Sequence, residues 1–85
     1  MSKWVSADVE KDIRALVAEI LEIKPEDITP DAHFVKELGM DSMMALEILA
    51  SVEKKYRITI PEDALPKFTD LKTTAGIVHN ILNQK

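Results

Sequence analysis

The stretch Leu38-Gly39-Met40-Asp41-Ser42-Met43 holds the residue types that support a covalent modification. A glycine comes first, then an acidic residue, then a serine at the start of an amphipathic segment. Asp41 has the side chain of an N-cap and can accept backbone N–H bonds. Ser42 would then project its hydroxyl from a helix N-terminus, outside the core. Unpaired N–H groups and the positive end of the helix dipole favour a phosphate there. A phosphodiester on Ser42 is electrostatically tolerated at that end, and a helix C-terminus would repel it. A Ser42–His–Asp catalytic arrangement can be drawn on paper, but neither a nucleophile elbow nor a glycine-rich oxyanion loop accompanies it. His33 and His79 are far apart with no ligand spacing, so they read as ordinary loop and surface residues and no metal site is expected. There is no cysteine. The chain therefore has no disulfide, no Cys-ligated metal and no thiol of its own, and any thiol chemistry must come from an added group.

The elements around this site follow from hydrophobic spacing. Val9, Ile13, Leu16, Val17, Ile20 and Leu21 share one face of a helix expected over about residues 7–22, roughly 24 Å long. Ser6 is the expected N-cap, and Pro25 keeps Lys24 out of helical geometry. Residues 23–40 read as a long loop with Pro25, Pro30 and Gly39, pinned by Ile28, Phe34 and Leu38. A second helix is expected over about residues 42–56. Its stripe Ala45, Ile48, Leu49, Val52 and Tyr56 suits a core, while Met43, Leu46 and Ala50 form an adjoining apolar stripe that a simple surface helix does not need. Ile58 and Ile60 follow as a short extended piece. A helical turn is expected over about residues 61–66, with Pro61 at its first position and Pro66 limiting its length. A last helix is expected over about residues 71–82, capped by Asp70, with Leu71, Ala75, Val78 and Leu82 on one face and Gly76 costing about 1 kcal/mol relative to Ala.

Composition bounds the function. The chain has 85 residues, enough for one domain spanning 1–85, and is 46% hydrophobic, which argues against disorder. So small a domain has a thin core and little room for a deep enzyme cleft. The net charge is −4, and the basic run Lys54-Lys55-Tyr56-Arg57 is too short for a nucleic-acid stripe, so it reads as a solvated helix end, with a partner or membrane-surface contact as the alternative. No apolar run reaches the length of a membrane span, and Met1-Ser2-Lys3-Trp4 lacks the apolar stretch of a signal peptide. A soluble cytoplasmic protein, a monomer, is the expectation.

The sequence resembles the acyl carrier protein family, whose attachment site reads Asp-Ser-Leu with a glycine two residues before the aspartate. Here it stands as Gly39-Met40-Asp41-Ser42-Met43. The resemblance extends from Ile13 to Leu82. It includes the long first loop, the second helix with Glu47, the Ile60-Pro61-Glu62-Asp63 segment and the Phe68-Thr69-Asp70 lead into the last helix. It implies an all-α four-helix bundle with a short third helix. It also implies 4'-phosphopantetheine, moved from coenzyme A onto Ser42 by a phosphopantetheinyl transferase, with Asp41 and Gly39 completing the attachment motif. The thiol of that arm would carry an acyl cargo as a thioester, and the protein would perform no catalysis of its own. Partners implied are acyl-ligases or acyltransferases and synthase enzymes, in fatty acid or specialised lipid biosynthesis. Met43, Leu46, Glu47 and Ala50 would meet them, with Glu47 equally readable as a solvated charge. By the same analogy Leu49, Ile60, Leu65 and Ile77 would line an acyl cavity. Met43 replaces the usual Leu, and Met44, Lys54, Lys55 and Arg57 stand where fatty-acid-type carriers are often acidic. These departures bear on which partners are met. A carrier of aminoacyl, peptidyl or polyketide cargo and an unmodified helical interaction module are the rival readings.

Overall fold

The computed structural model describes residues 5–84; the four N-terminal residues, on which the signal-peptide reading rests, lie outside the described part. All regular structure among the described residues is helical. Helix α1 spans Ser6–Leu21, α2 Phe34–Leu38, α3 Ser42–Tyr56 and α4 Leu71–Leu82, and 3-10 turns cover Pro25–Asp27 and Glu62–Lys67.

The core forms where the apolar stripes of three helices meet. Val9, Ile13 and Val17 of α1 are fully buried with Ile48 and Val52 of α3 and Leu71 and Val78 of α4. Burying each such side chain contributes roughly 1.5–3 kcal/mol, the main term holding a domain of this size. Leu16, Ile20 and Leu21 extend the α1 stripe as half-buried flanks. Ala45 is likewise half-buried, whereas Leu49 and Tyr56 are buried.

Two helix starts use an aspartate side chain. Asp41 Oδ1 accepts the Met44 N–H at 2.9 Å, and Asp70 Oδ1 accepts the Thr73 N–H at 2.7 Å. At α1 the expectation fails, because Val5 holds the N-cap position and Ser6 is already the first helical residue. The stops of α1 and α3 share one design without glycine. Glu22 and Arg57 take left-handed conformations, with φ of 59° and 56°. The next residues, Ile23 and Ile58, donate their N–H groups five residues back, to the carbonyls of Ala18 and Glu53. Both isoleucines pack on the core and cover the helix ends, as the apolar residue of a Schellman stop does.

The stretch expected as one loop over 23–40 contains two helical pieces. Pro25 starts a single 3-10 turn, and Lys24 before it is extended at φ −78°, ψ 142°. Ile28 and Phe34 are buried and Leu38 is half-buried against the core. The Arg14 Nε–H donates to the Ile28 carbonyl at 3.2 Å and holds the loop to α1. The short third helix is a 3-10 helix over Glu62–Lys67, with Pro61 before it rather than inside. Pro66 explains the tighter winding. It has no N–H to give an α-type bond, and its ring would clash with the carbonyl four residues back.

Tyr56 joins α3 to α1. Its hydroxyl donates to Asp12 Oδ2 at 2.7 Å. Burial pushes the phenol well above its ordinary value near 10, and the hydrogen bond and negative charge of Asp12, with Asp8 further off, add to the effect. Between the unfolded and folded values the native state keeps a proton that the unfolded chain has lost. The stability from this group is therefore complete below about pH 10 and falls as pH rises beyond it. Tyr56→Phe is expected to cost about 1–2 kcal/mol near neutrality by removing a bond to a charged acceptor. Urea titrations of both proteins should show that difference shrinking above about pH 10; a gap constant with pH would rule out the phenol as its source.

Candidate functional site

Ser42 is the first residue of α3 and is exposed, so its hydroxyl faces solvent at the helix start. The local chain explains this placement. Gly39 ends α2 at φ 74°, and its N–H and that of Met40 both return to the Phe34 carbonyl. A side chain at Gly39 would have open space around it, so the glycine is favoured there by its left-handed backbone rather than by lack of room. That turn lets Met40 drop into the core and swings Asp41 out to cap α3. Gly39 and Asp41 thus set the direction in which Ser42 points.

Beside Ser42 lies a groove of about 440 Å³. Its apolar lining is Val35, Met40, Ala45, Leu65, Pro66 and Phe68, and its polar lining is His33, Asp41, Ser42 and Thr69. Of the four residues expected around an acyl cavity, Leu65 alone borders this groove. Leu49 and Ile60 are buried within the packed core, and Ile77 is half-buried on α4. The difference arises because the groove opens between α2, the start of α3 and residues 65–69.

Sequence reasoning treats His33 as an ordinary loop residue, yet it caps α2 and borders the groove. Its Nδ1 accepts the Lys36 N–H at 3.2 Å, while its own backbone N–H donates to Glu37 Oε2 at 2.7 Å. This is a reciprocal cap with histidine in the place usually held by serine or threonine. The signal in the sequence is Glu37, four residues after a polar residue that precedes an apolar one. His79 lies far along the chain on α4, close to Asn83, so the two histidines are not part of one site. Among the described residues no group of three or more His, Cys, Asp or Glu is placed to hold a metal ion, and no helix is long and apolar enough to cross a membrane.

The adjoining stripe of α3 is exposed. Met43 is 73% and Leu46 45% accessible, and Glu47 and Ala50 are exposed beside them. Met43, Leu46 and Ala50 lie at i, i+3 and i+7 along α3, so these exposed apolar side chains share one side of the helix.

The fold is that of carrier domains of this size. The structure superposes on the NMR structure of the HMG-ACPI domain from the CurA module of Lyngbya majuscula with a TM-score of 0.84, at 22% identity, covering 96% of this chain and 82% of that one. The chain belongs to the family of the phosphopantetheine attachment site, whose family model matches residues 11–81. It is 38% identical over 61 residues to an acyl carrier protein of Helicobacter pylori (strain J99), covering 72% of this chain and 78% of that protein. It is also 38% identical over 65 residues to polyketide-8 synthase acyl carrier protein 2 of Streptomyces avermitilis, covering 76% of this chain and 75% of that protein. The cofactor of this carrier family is covalently attached 4'-phosphopantetheine. The residues around Ser42 fit such a group, with an exposed serine for the ester and an adjoining groove of largely apolar lining.

Proposed function

We propose that Ser42 carries the 4'-phosphopantetheine arm, that the arm's thiol holds an acyl cargo as a thioester, and that the protein presents this cargo to partner enzymes without catalysing a reaction itself. The observation that carries the reading is the exposed Ser42 hydroxyl on the first turn of α3, held outward by the Gly39 turn and the Asp41 cap. The helix dipole stabilises a phosphodiester at that position. The arm supplies the sulfur that a chain without cysteine lacks. Residues 1–85 act as a single monomeric carrier domain in the cytoplasm, meeting a phosphopantetheinyl transferase, acyl-ligases or acyltransferases and synthases.

The test is intact mass spectrometry after incubation with coenzyme A and a broad-specificity transferase. One added phosphopantetheinyl group is expected. An unchanged mass with a transferase that modifies a control carrier would favour the unmodified interaction module.

The cargo belongs to fatty acid or specialised lipid synthesis in this reading. The likeness to the Streptomyces avermitilis polyketide carrier supports a polyketide cargo as the second reading. Competition between fatty acyl, malonyl and aminoacyl donors for the modified protein separates them.

Met43, Leu46, Glu47 and Ala50 form the partner face. Met suits a surface that must adapt to several enzymes, because its side chain is flexible and polarizable. Met43→Glu or Leu46→Glu is expected to slow acyl transfer roughly tenfold or more, equivalent to about 1.4 kcal/mol of lost interface energy. The melting temperature should hardly move, because both residues are exposed. A large fall in melting temperature without a transfer defect would assign them to the fold instead.

A further inference from the structure

We propose that His33 is a positioning residue for the arm, its Nε2–H donating a hydrogen bond to an acceptor oxygen of the pantetheine chain where that chain lies in the groove beside Ser42. The proposal rests on attachment at Ser42, and it goes beyond that reading by assigning a contact to a residue outside the attachment motif.

The tautomer follows from the cap. A backbone N–H can only donate, so the Nδ1 that receives the Lys36 N–H carries a lone pair. The proton of the neutral ring then sits on Nε2. That N–H has no protein partner among the described residues, although His33 is half-buried and lines the groove. The polar residues sharing the groove narrow the options. The Asp41 carboxylate accepts only, and it is engaged by the Met44 N–H. The Ser42 oxygen is consumed by the ester, and Thr69 offers a hydroxyl that both donates and accepts. His33 is therefore the one side chain lining the groove that presents an obligatory N–H donor. The occupant is fixed by tether, because Ser42 is part of the groove wall and an arm attached there starts inside it. The arm carries phosphate, hydroxyl and amide oxygens that can accept, and apolar methyl and methylene groups that match Val35, Met40, Leu65 and Phe68. Capping ties the ring to α2, so its donor is held in place before the arm arrives.

The experiment compares the full-length chain before and after arm transfer, with ¹⁵N labelling of the protein and ¹³C labelling of the pantetheine carbonyls. Long-range ¹H–¹⁵N spectra are expected to show an unprotonated Nδ1 in both states, and an Nε2–H signal that moves downfield and exchanges more slowly once the arm is attached. His33→Ser keeps a capping oxygen for α2 and removes the donor. In that variant the arm's ³¹P or ¹³C carbonyl signals are expected to move towards those of free 4'-phosphopantetheine, and the nucleus that moves tells whether phosphate or amide is the acceptor. Should the mass show no arm on Ser42, attachment and this proposal fall together. With the arm present, an Nε2–H signal indifferent to it, or arm signals identical in the parent and His33→Ser, overturns the role of His33 and leaves attachment standing.

Discussion

Ser42→Ala abolishes arm transfer completely and leaves the thermal midpoint within about 4 °C of the parent protein. Both halves of this expectation come from the geometry. The hydroxyl is exposed and the α3 cap is made by Asp41 Oδ1, so the serine oxygen is not needed to start the helix. Ala is the best helix former, and it stands here at a helical position. A thiol titration gives a sensitive readout, because the polypeptide has no cysteine and every reactive sulfur in the modified protein belongs to the arm. Wild-type protein treated with coenzyme A and transferase should show one reactive thiol per chain, and Ser42→Ala none. A thiol retained in the variant would move the attachment point elsewhere.

Phe34→Ala is expected to destabilise the protein by about 3–5 kcal/mol and to lower its melting midpoint by more than about 10 °C. The ring is fully buried and is the largest such side chain in the core. The residue also sits at a junction of the backbone. Its N–H donates to the Thr69 carbonyl at 2.8 Å, and its carbonyl accepts from Gly39 and Met40. These bonds survive in principle with Ala at the position, so the loss comes from packing and the cavity left behind. A small domain has only about 5–15 kcal/mol of net stability to lose. Phe34→Leu, which keeps most of the volume, should recover a large part of the deficit in chemical denaturation. If Phe34→Ala melted within a few degrees of the parent, the segment between α1 and α3 would not be the structural anchor described here.

Long amphipathic elements are legible in the sequence because periodicity accumulates over several turns. The α1 stripe of Val9, Ile13 and Val17 and the α3 stripe of Ile48, Leu49 and Val52 both stand in the core. Asp41 and Asp70 are legible as caps because their side chains have few better uses before an apolar run. Helix α2 is not legible, since Phe34–Leu38 spans little more than one turn and gives no repeat to read. The stops at Glu22 and Arg57 are equally silent, because nothing in either residue type announces a left-handed backbone. At the site, the serine and its cap can be read from local order alone. The groove cannot, because it joins residues 33–45 to residues 65–69, which only tertiary packing brings together. The same dependence sends Leu49 and Ile60 into the packed interior instead of lining an open space.

The bond from the Phe34 N–H to the Thr69 carbonyl, with that from the Lys72 N–H to the Pro30 carbonyl at 2.9 Å, stitches the segment before α3 to Thr69 and the first turn of α4. Among the described backbone bonds none ties Glu62–Lys67 to another element in the same way. The cleft beside Ser42 accordingly has one wall, Leu65 and Pro66, that no such backbone bond anchors, facing a wall on which the serine is mounted by the Gly39 turn and the Asp41 cap.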